Sequence, residues 1–401
     1  MHRTKLIAVL GGGPAGAFAS EKLASAGLKT ILFDDKLAWE KPCGGALTFK
    51  AYNRYPFLIE DDAPKRVVTE IVLSVPRGKA ATLRLTKPML VYSRFDLGRM
   101  LLKRAEHAGA RIEKARVLEM NRTAGGWRIG TQYGKVDVDF CIVATGAKNA
   151  LPGVGRRLVD GDTRLALGYY VPVKQAHAEI QFVPELEGYI WVFPRCDHLS
   201  VGICGKGESA RCLRKSLESY MDRNELPRTD ATFFSHPLPC LETASWNVSR
   251  TTGEGWIAVG DAAGLVDPIT GEGIYYALRS GDLASEVLQK ETDCADQVRT
   301  YERMLGSDFG ANLHFGSGLA KRFFLGRVLL GSVPRRMVQF TGHSRKFSGV
   351  MQDLFAGTQP YFSLKPRLLR NLKAIVFETL VSLASDGPLG GGLRGRTEHG
   401  S

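Results

Sequence analysis

The sequence lacks the long apolar stretch that a membrane-spanning helix requires. No uninterrupted apolar run in its 401 residues approaches the ~20 residues that cross a bilayer. The best late candidate, residues 374–384, is short and contains Glu378. A secretory signal peptide is not expected either, because the first predicted strand starts at about residue 5. These absences argue against an integral membrane protein and against a secreted one.

Cysteine and histidine occur without the spacing that disulfide frameworks or metal sites need. The seven cysteines are odd in number and follow no framework pattern, which predicts reduced thiols in a cytoplasmic protein. The eight histidines are scattered along the chain, so no metal site is predicted. The length, together with 44% hydrophobic residues, allows two domains with cores of their own.

What the sequence does contain is a glycine-rich turn, Gly11–Gly16, directly behind the apolar run Leu6–Leu10. A second apolar run, Thr30–Phe33, ends at Asp34. The order of strand, glycine-rich turn, helix, strand and acid is the dinucleotide-binding fingerprint in its expected context. An ordinary glycine-rich loop would not explain the acid at the end of the second strand.

Each position of this turn has a predicted role. Gly11 allows the tight turn, Gly13 lets the backbone approach a pyrophosphate, and Gly16 lets the helix pack close to the strand. The helix N-terminus offers free N–H groups to the phosphates, and Asp34 is expected to accept hydrogen bonds from the ribose. The remaining predicted cofactor contacts in the turn are Pro14 and Ala15.

A second motif, about 250 residues later, indicates which dinucleotide is bound. The apolar run Trp256–Val259 leads into Gly260 and Asp261. This segment resembles the second FAD motif of the para-hydroxybenzoate hydroxylase-like flavoproteins, in which the Asp binds the flavin ribityl chain. The resemblance also places a proline and a Gly-x-Gly turn beside the isoalloxazine ring, here Pro268, Gly271, Gly273 and the following Ile274. NAD binding alone would not need a distant second site, so FAD is the predicted cofactor.

The predicted fold is α/β: a Rossmann-type FAD-binding domain, a mostly antiparallel β substrate domain and a helical C-terminal region. Strand-like runs such as Ala178–Val183, separated by proline turn signals, indicate the antiparallel sheet. Helices are predicted over about Leu97–Ala108 and Gly273–Leu288. The predicted parts are a discontinuous FAD-binding domain (1–60, 93–150 and 246–300), a substrate domain (61–92 and 151–245), the helical region (301–385) and a disordered tail (386–401).

Three further segments carry a more specific resemblance. Lys41–Ala46 reads K-P-C-G-G-A, Tyr189–Pro194 reads Y-I-W-V-F-P, and Gly357–Tyr361 is followed by Lys365–Leu369. Together with the two FAD motifs, these segments resemble the geranylgeranyl reductase family of flavoproteins over most of the chain. The resemblance implies flavin-dependent reduction of isolated C=C bonds in a prenyl chain carried on a lipid, a diphosphate or a quinone.

The resemblance also implies roles for individual residues. Cys43 would lie near flavin and substrate, where it shapes the cavity or supplies a proton; the alternative is a small buried apolar residue. Tyr189, Trp191 and Phe193 alternate along a strand and share one face, which suits a greasy substrate; the alternative is core packing of a sheet. The other cofactor contacts predicted from these segments are Lys41, Gly44 and Gly45.

Two departures from the related hydroxylases affect the predicted chemistry. Where those enzymes often have Asp-Gly, a segment tied to FAD and NADPH, this chain has Ala144-Thr145-Gly146. The electron donor therefore stays open between NAD(P)H, visiting transiently, and a small redox carrier. Thr145 and Gly146 remain predicted cofactor contacts, as does Arg94, which stands near Leu97 where the superfamily often has an apolar residue followed by Asp.

Three alternative functions share this framework. An FAD-dependent monooxygenase acting on a hydrophobic or aromatic substrate is the main one, and the Lys41–Gly45 segment argues against it. A flavin halogenase would carry a tryptophan-rich signature that is absent from the sequence. A membrane-associated lipid-binding flavoprotein without turnover belongs to a different class.

The net charge of +13 is unevenly distributed. Residues 321–373 hold eleven basic residues and one acid, Asp353, interleaved with apolar residues. This mixture indicates interfacial helices on an anionic membrane surface, with peripheral attachment to the inner face of the membrane. A solvated helical face is the equally weighted alternative. Nucleic acid is not a predicted partner, because no binding motif accompanies the charge.

Overall fold

The computed structural model describes residues 5–247, 251–291, 293–328 and 330–385. The tail predicted over 386–401 lies outside the described residues. The strands are β1 (Leu6–Leu10), β2 (Lys29–Phe33), β3 (Ala46–Leu47), β4 (Lys65–Ser74), β5 (Ala81–Tyr92), β6 (Arg111–Glu113), β7 (Val117–Thr123), β8 (Gly126–Thr131), β9 (Gly134–Val138), β10 (Phe140–Val143), β11 (Thr163–Val171), β12 (Ala178–Phe182), β13 (Glu187–Pro194), β14 (Leu199–Lys206), β15 (Thr232–Pro239), β16 (Thr252–Gly253), β17 (Trp256–Ala258), β18 (Arg327–Val328) and β19 (Gly331–Ser332).

The helices are α1 (Pro14–Ser25), α2 (Phe49–Arg54), α3 (Phe57–Glu60), α4 (Arg94–His107), α5 (Ala210–Arg223), α6 (Thr243–Asn247), α7 (Ile274–Lys290), α8 (Cys294–Leu305), α9 (Ala311–Leu325), α10 (Val333–His343), α11 (Arg345–Phe355) and α12 (Tyr361–Ser385). A 3-10 turn over Gly260–Ala263 follows β17, and a π-helical turn over Gly306–Gly310 links α8 to α9. No helix of the described residues is both long enough and apolar enough to span a bilayer.

A six-stranded sheet in the order β16-β17-β10-β1-β2-β6 forms the first layer, and all its pairs except β16–β17 are parallel. β1 lies near its centre, paired in register with both β2 and β10. Helix α1 packs against α4 and α7. The strands of this sheet are short runs of apolar residues, because helices cover the faces of a parallel sheet and bury its side chains.

An eight-stranded sheet in the order β15-β11-β14-β13-β12-β4-β5-β3 forms the second layer. Its pairs are antiparallel except β4–β12. One face packs against α5, and the other packs against α9, α10 and α11 of the C-terminal helices. A buried apolar cluster of both sheet and helix residues, including Trp191, Phe324 and Met351, fills the space on that second face.

These layers confirm the predicted fold class, a Rossmann-type α/β unit with a mostly antiparallel sheet and a helical C-terminal region. The helix bounds differ slightly from those predicted. Helix α4 begins at Arg94 rather than near Leu97, because the Ser93 hydroxyl accepts a hydrogen bond from the amide of Asp96 and caps the helix there. Helix α7 extends to Lys290 rather than to Leu288.

Candidate active site

The glycine-rich turn between β1 and α1 is tightly packed on one side and open on the other. Gly11 has φ +116°, and a Cβ there would overlap the carbonyl oxygen of Ala144. A Cβ on Gly16 would overlap the carbonyl oxygen of Gly11, so a glycine is needed for α1 to pack this closely. At Gly13, no described heavy atom beyond the chain neighbours lies within 4 Å of a Cβ position. The backbone at the start of α1 is therefore open to a ligand.

Asp34 lies beside this turn at the end of β2. Its Oδ2 accepts a 2.6 Å hydrogen bond from the amide of Gly12, and its Oδ1 accepts bonds from the amides of Lys36 and Leu37 at 2.8 and 2.6 Å. These bonds fix the orientation of the carboxylate. Oδ2 keeps the capacity to accept another hydrogen bond, as from a sugar hydroxyl.

Lys41 and Asp261, which are 220 positions apart in sequence, form an ion pair between Nζ and Oδ2 at 3.0 Å. Asp261 lies in the 3-10 turn that follows β17. Burial by itself would raise the pKa of Asp261, but the charge and hydrogen bond of Lys41 lower it below the ordinary value overall. The pair therefore presents an ionised carboxylate next to a cation.

A cavity of about 540 Å³ joins the glycine-rich turn to this ion pair. Thirteen of the residues predicted to bind the cofactor line it: Gly11, Gly13, Pro14, Ala15, Asp34, Lys41, Arg94, Thr145, Gly146, Asp261, Gly271, Gly273 and Ile274. We call it the cofactor cavity. Trp39, Ala115, Arg116 and Val117 also line it, and the sequence analysis did not identify them.

The cofactor cavity has the features that FAD needs. The Arg94 side chain lines it, and Nε of Arg94 is buried without a hydrogen-bond partner among the described residues. Gly13 forms the N-cap of α1, and the described residues provide no side-chain cap there, so the first N–H groups of the helix can receive an anion. A buried donor, a free helix N-terminus and an ionised carboxylate match a dinucleotide with a pyrophosphate and a sugar-alcohol chain.

Five residues predicted to contact the cofactor do not line this cavity. Gly16 and Gly260 provide close packing instead, the latter beside Ala15 and Ala277. Pro268 turns its carbonyl oxygen toward the buried side chain of Arg164. The other two, Gly44 and Gly45, line a neighbouring cavity.

That neighbouring cavity, of about 460 Å³, lies between the eight-stranded sheet and the C-terminal helices. Tyr189, Trp191 and Phe193 of β13 all line it, as their alternation along the strand predicts. Most of its other lining is aliphatic or aromatic, including Phe182, Phe234, Phe323, Met351 and Leu354. We call it the apolar cavity.

The two cavities share a wall. Seven residues line both of them: Pro42, Cys43, His236, Leu238, Gly271, Gly273 and Ile274. The sulfur of Cys43 accepts a 3.3 Å hydrogen bond from the amide of Gly45. The two motifs identified in the sequence, Lys41–Ala46 and Gly271–Gly273, therefore meet where a cofactor ring and an apolar substrate would be in contact.

A buried arginine that the sequence analysis missed holds one side of this wall. Arg195 donates hydrogen bonds to the carboxylate of Glu40 and to the carbonyl oxygen of Cys43, both at 2.7 Å. Burial would raise the pKa of Glu40, but Arg195 and the amides of Arg94 and Phe95 lower it overall. Arg195 directly follows the Y-x-W-x-F-P motif, and Glu40 directly precedes Lys41. Their positions next to these motifs could have identified both residues as part of the site.

A second buried arginine, also missed, lies behind the opposite side of the wall. Arg164 is fully buried and donates a 3.0 Å hydrogen bond to the carbonyl oxygen of Pro268. The hydroxyl of Tyr189 donates to the carbonyl oxygen of Thr270 in the same loop. These contacts hold the loop that leads to Gly271 and Gly273.

No family model matches the chain, whereas individual curated proteins do. This chain is 28% identical over 322 residues to the chloroplastic geranylgeranyl diphosphate reductase of Arabidopsis thaliana. The alignment covers 72% of this chain and 66% of the plant protein. The chain thus spans about two thirds of the length of that relative. It is also 28% identical to the digeranylgeranylglycerophospholipid reductase of Methanothrix thermoacetophila, covering 92% of this chain and 99% of the archaeal protein.

Solved structures show the same fold. A geranylgeranyl bacteriochlorophyll reductase-like protein from Thermoplasma acidophilum superposes with a TM-score of 0.74 at 22% identity, covering 92% of this chain and 99% of that chain. This likeness shows the shared fold, and the sequence relatives agree with the family that the motifs indicated. The chain is a homologue of the geranylgeranyl reductases, a family of FAD-dependent oxidoreductases.

Proposed function

We propose that the protein is a reductase that uses FAD to saturate isolated C=C bonds of a prenyl chain carried on a lipid, a diphosphate or a quinone. The observation that carries the proposal is the wall shared by the cofactor cavity and the apolar cavity. A long apolar chain in the second cavity would contact whatever ring lies in the first. The relatives described above are named as reductases of geranylgeranyl compounds, which supports this substrate class.

The chain's own residues supply binding, orientation and a dry environment. The turn at Gly13, the carboxylates of Asp34 and Asp261 and the side chain of Arg94 are the groups that would hold FAD. The chemistry that FAD supplies when bound is hydride transfer to one alkene carbon. The aromatic face of β13 would align the chain and shield it from water. An isolated alkene has no carbonyl to stabilise charge, so this positioning must provide much of the rate.

Anaerobic turnover tests the proposal directly. The purified flavoprotein would be reduced without oxygen and mixed with a geranylgeranyl lipid or a prenylated quinone. We expect the flavin absorbance to return to the oxidised spectrum while the product gains two hydrogens per double bond. A flavin that stays reduced until oxygen is admitted, and then gives an oxygenated product, would contradict the proposal and indicate a monooxygenase.

Cys43 is proposed to act at the shared wall, by shaping the cavity or by supplying a proton. Its side chain borders both cavities, and its carbonyl oxygen is held by Arg195. We expect Cys43→Ser to slow turnover or to change the distribution of partly reduced products. Cys212→Ser, at an exposed cysteine on α5, is the matched control. Full turnover with unchanged products in Cys43→Ser would refute this role.

Peripheral attachment to an anionic membrane is proposed through α12. Eight exposed apolar residues lie along this helix: Phe362, Leu369, Leu372, Val376, Phe377, Leu380, Val381 and Leu383. Basic residues lie among them, and an amphipathic helix of this kind binds anionic lipid surfaces. Phe362 also lines the apolar cavity, so the same helix end borders a route for a lipid-borne chain.

Flotation with vesicles tests this attachment. We expect co-flotation with vesicles that contain anionic lipid, weakening as salt screens the basic residues. Equal recovery with neutral vesicles, or no recovery at all, would remove the membrane proposal.

The electron donor is proposed to be NAD(P)H or a small redox carrier that reaches the flavin transiently. Steady-state reduction of the flavin by each donor distinguishes the two.

A further inference from the structure

His236 is a titratable residue at the shared wall that belongs to none of the sequence motifs. It lies on β15, opposite Ala166 of β11, and it lines both cavities. Its Nε2 atom is buried without a hydrogen-bond partner among the described residues. Of the seven residues that line both cavities, Cys43 and His236 alone have side chains that can gain or lose a proton.

The charges around His236 come from four parts of the chain. Burial is the largest influence, and the cations of Lys41, Lys148 and Arg94 add to it, whereas Asp261 opposes it. The result is a pKa of His236 lowered to about 3, so the imidazole is neutral near physiological pH. Negative charge arriving beside this imidazole would raise the pKa of His236, since an opposite charge favours the protonated form.

We propose that His236 takes up a proton from solvent when the bound flavin is reduced, and holds that proton at the wall of the apolar cavity. This inference rests on the cofactor of the proposed function. Two-electron reduction of a bound flavin would deliver two electrons and one proton to its ring, leaving one additional negative charge on the ring. Water or buffer would supply a second proton, which forms an N–H bond on the imidazole. The proton is thereby stored where saturation of an alkene consumes one proton along with the hydride.

The test is the number of protons taken up for each flavin reduced, without any prenyl substrate. It is obtained from the pH dependence of the flavin midpoint potential across the range in which histidine titrates. We expect wild-type protein to take up more protons than His236→Gln. His107→Gln, at an exposed histidine near the end of α4, should match wild type. Equal uptake by wild type and His236→Gln, both with FAD bound, would overturn the inference.

A second measurement covers the case in which His236→Gln does not hold FAD. Nitrogen NMR of wild-type protein labelled at histidine would be recorded with the flavin oxidised and then photoreduced. One histidine should change from neutral to protonated on reduction, and His236→Asn serves to assign it. Unchanged protonation of all the histidines would overturn the inference. Because neither measurement involves an alkene, failure here is distinguishable from failure to reduce a prenyl chain.

Discussion

Glycine residues of the cofactor turn serve two purposes that the sequence pattern does not separate. Gly11 and Gly16 are required by the fold, because a side chain at either would overlap backbone atoms. Gly13 has an ordinary φ of −68° and open space around it, so the protein itself does not need a glycine there. A bound dinucleotide needs the glycine, if its pyrophosphate approaches that backbone.

This difference makes a residue-scale prediction. Gly13→Ala should leave the free energy of unfolding of the apo protein nearly unchanged but weaken FAD binding by at least about tenfold. Gly16→Ala should destabilise the apo protein, since α1 or the turn must move. Urea unfolding and FAD titration of both variants measure the two effects. Tight FAD binding by Gly13→Ala would contradict our placement of the pyrophosphate.

The ion pair of buried Arg195 and partly exposed Glu40 makes a second prediction at this scale. Arg195→Met removes a buried cation that donates to both Glu40 and the Cys43 carbonyl. We expect destabilisation near the lower end of the range of about 3–5 kcal/mol that breaking a buried ion pair costs, because Glu40 is partly exposed. Urea unfolding measures it.

The matched control is Arg128→Met, which breaks the exposed pair with Asp137 between β8 and β9. Exposed ion pairs contribute little, so the unfolding free energy should hardly change. If both substitutions had the same small effect, Arg195 would not be the structural support of the shared wall.

At the scale of elements, α12 has two faces of different character. Ile375 and Thr379 are buried against the rest of the protein, whereas eight apolar residues of the same helix are exposed. Exposed apolar residues scattered singly need no explanation, but a group of them along one helix does. The hydroxyl of Tyr361, at the start of the helix, donates a 2.6 Å hydrogen bond to Asp267 in the loop behind the shared wall. The helix thus links the proposed membrane face to the site.

The corresponding prediction concerns Leu369, Leu372 and Leu380. Changing all three to Gln should reduce partitioning into anionic vesicles by at least about tenfold, because each loses favourable burial in lipid. Thermal stability should be unchanged, since these side chains are exposed. Leu118→Gln on β7, exposed to the same degree as Leu369 (59% and 60%), is the control. Unaltered flotation of the triple variant would rule out α12 as the attachment site.

At the scale of the whole molecule, the cofactor cavity draws on both sheets. Gly11, Asp34 and Asp261 follow strands of the parallel sheet, whereas His236 lies on β15 of the other sheet. A ligand in this cavity contacts both layers of the protein. Its binding energy therefore adds to the stability of the folded chain as a unit.

FAD should accordingly stabilise the entire fold. At a free concentration of about 100 times its dissociation constant, we expect the unfolding free energy to rise by about 2.7 kcal/mol. Thermal melts of apo and reconstituted protein measure the shift, and Gly13→Ala at the same FAD concentration should show at most about half of it, because tenfold weaker binding leaves about 1.4 kcal/mol. A melting temperature that does not respond to FAD would contradict this prediction.

The sequence by itself determined the fold class, the cofactor and the family, because these depend on local patterns. A glycine turn between apolar runs dictates its own strand–turn–helix geometry, and Gly260–Asp261 and Lys41–Gly45 are contiguous motifs. Alternation of Tyr189, Trp191 and Phe193 likewise sufficed to place three rings on one face of a strand.

Only the tertiary structure decided which of these residues meet. The Lys41–Asp261 ion pair, the support of Cys43 by Arg195 and the position of His236 at the shared wall all join side chains distant in sequence. No local pattern specifies such pairs, since they arise from how β13, β15 and the loop after β2 pack together. For the same reason the hydrogen bond from Arg164 to the carbonyl oxygen of Pro268 could not be recognised in advance.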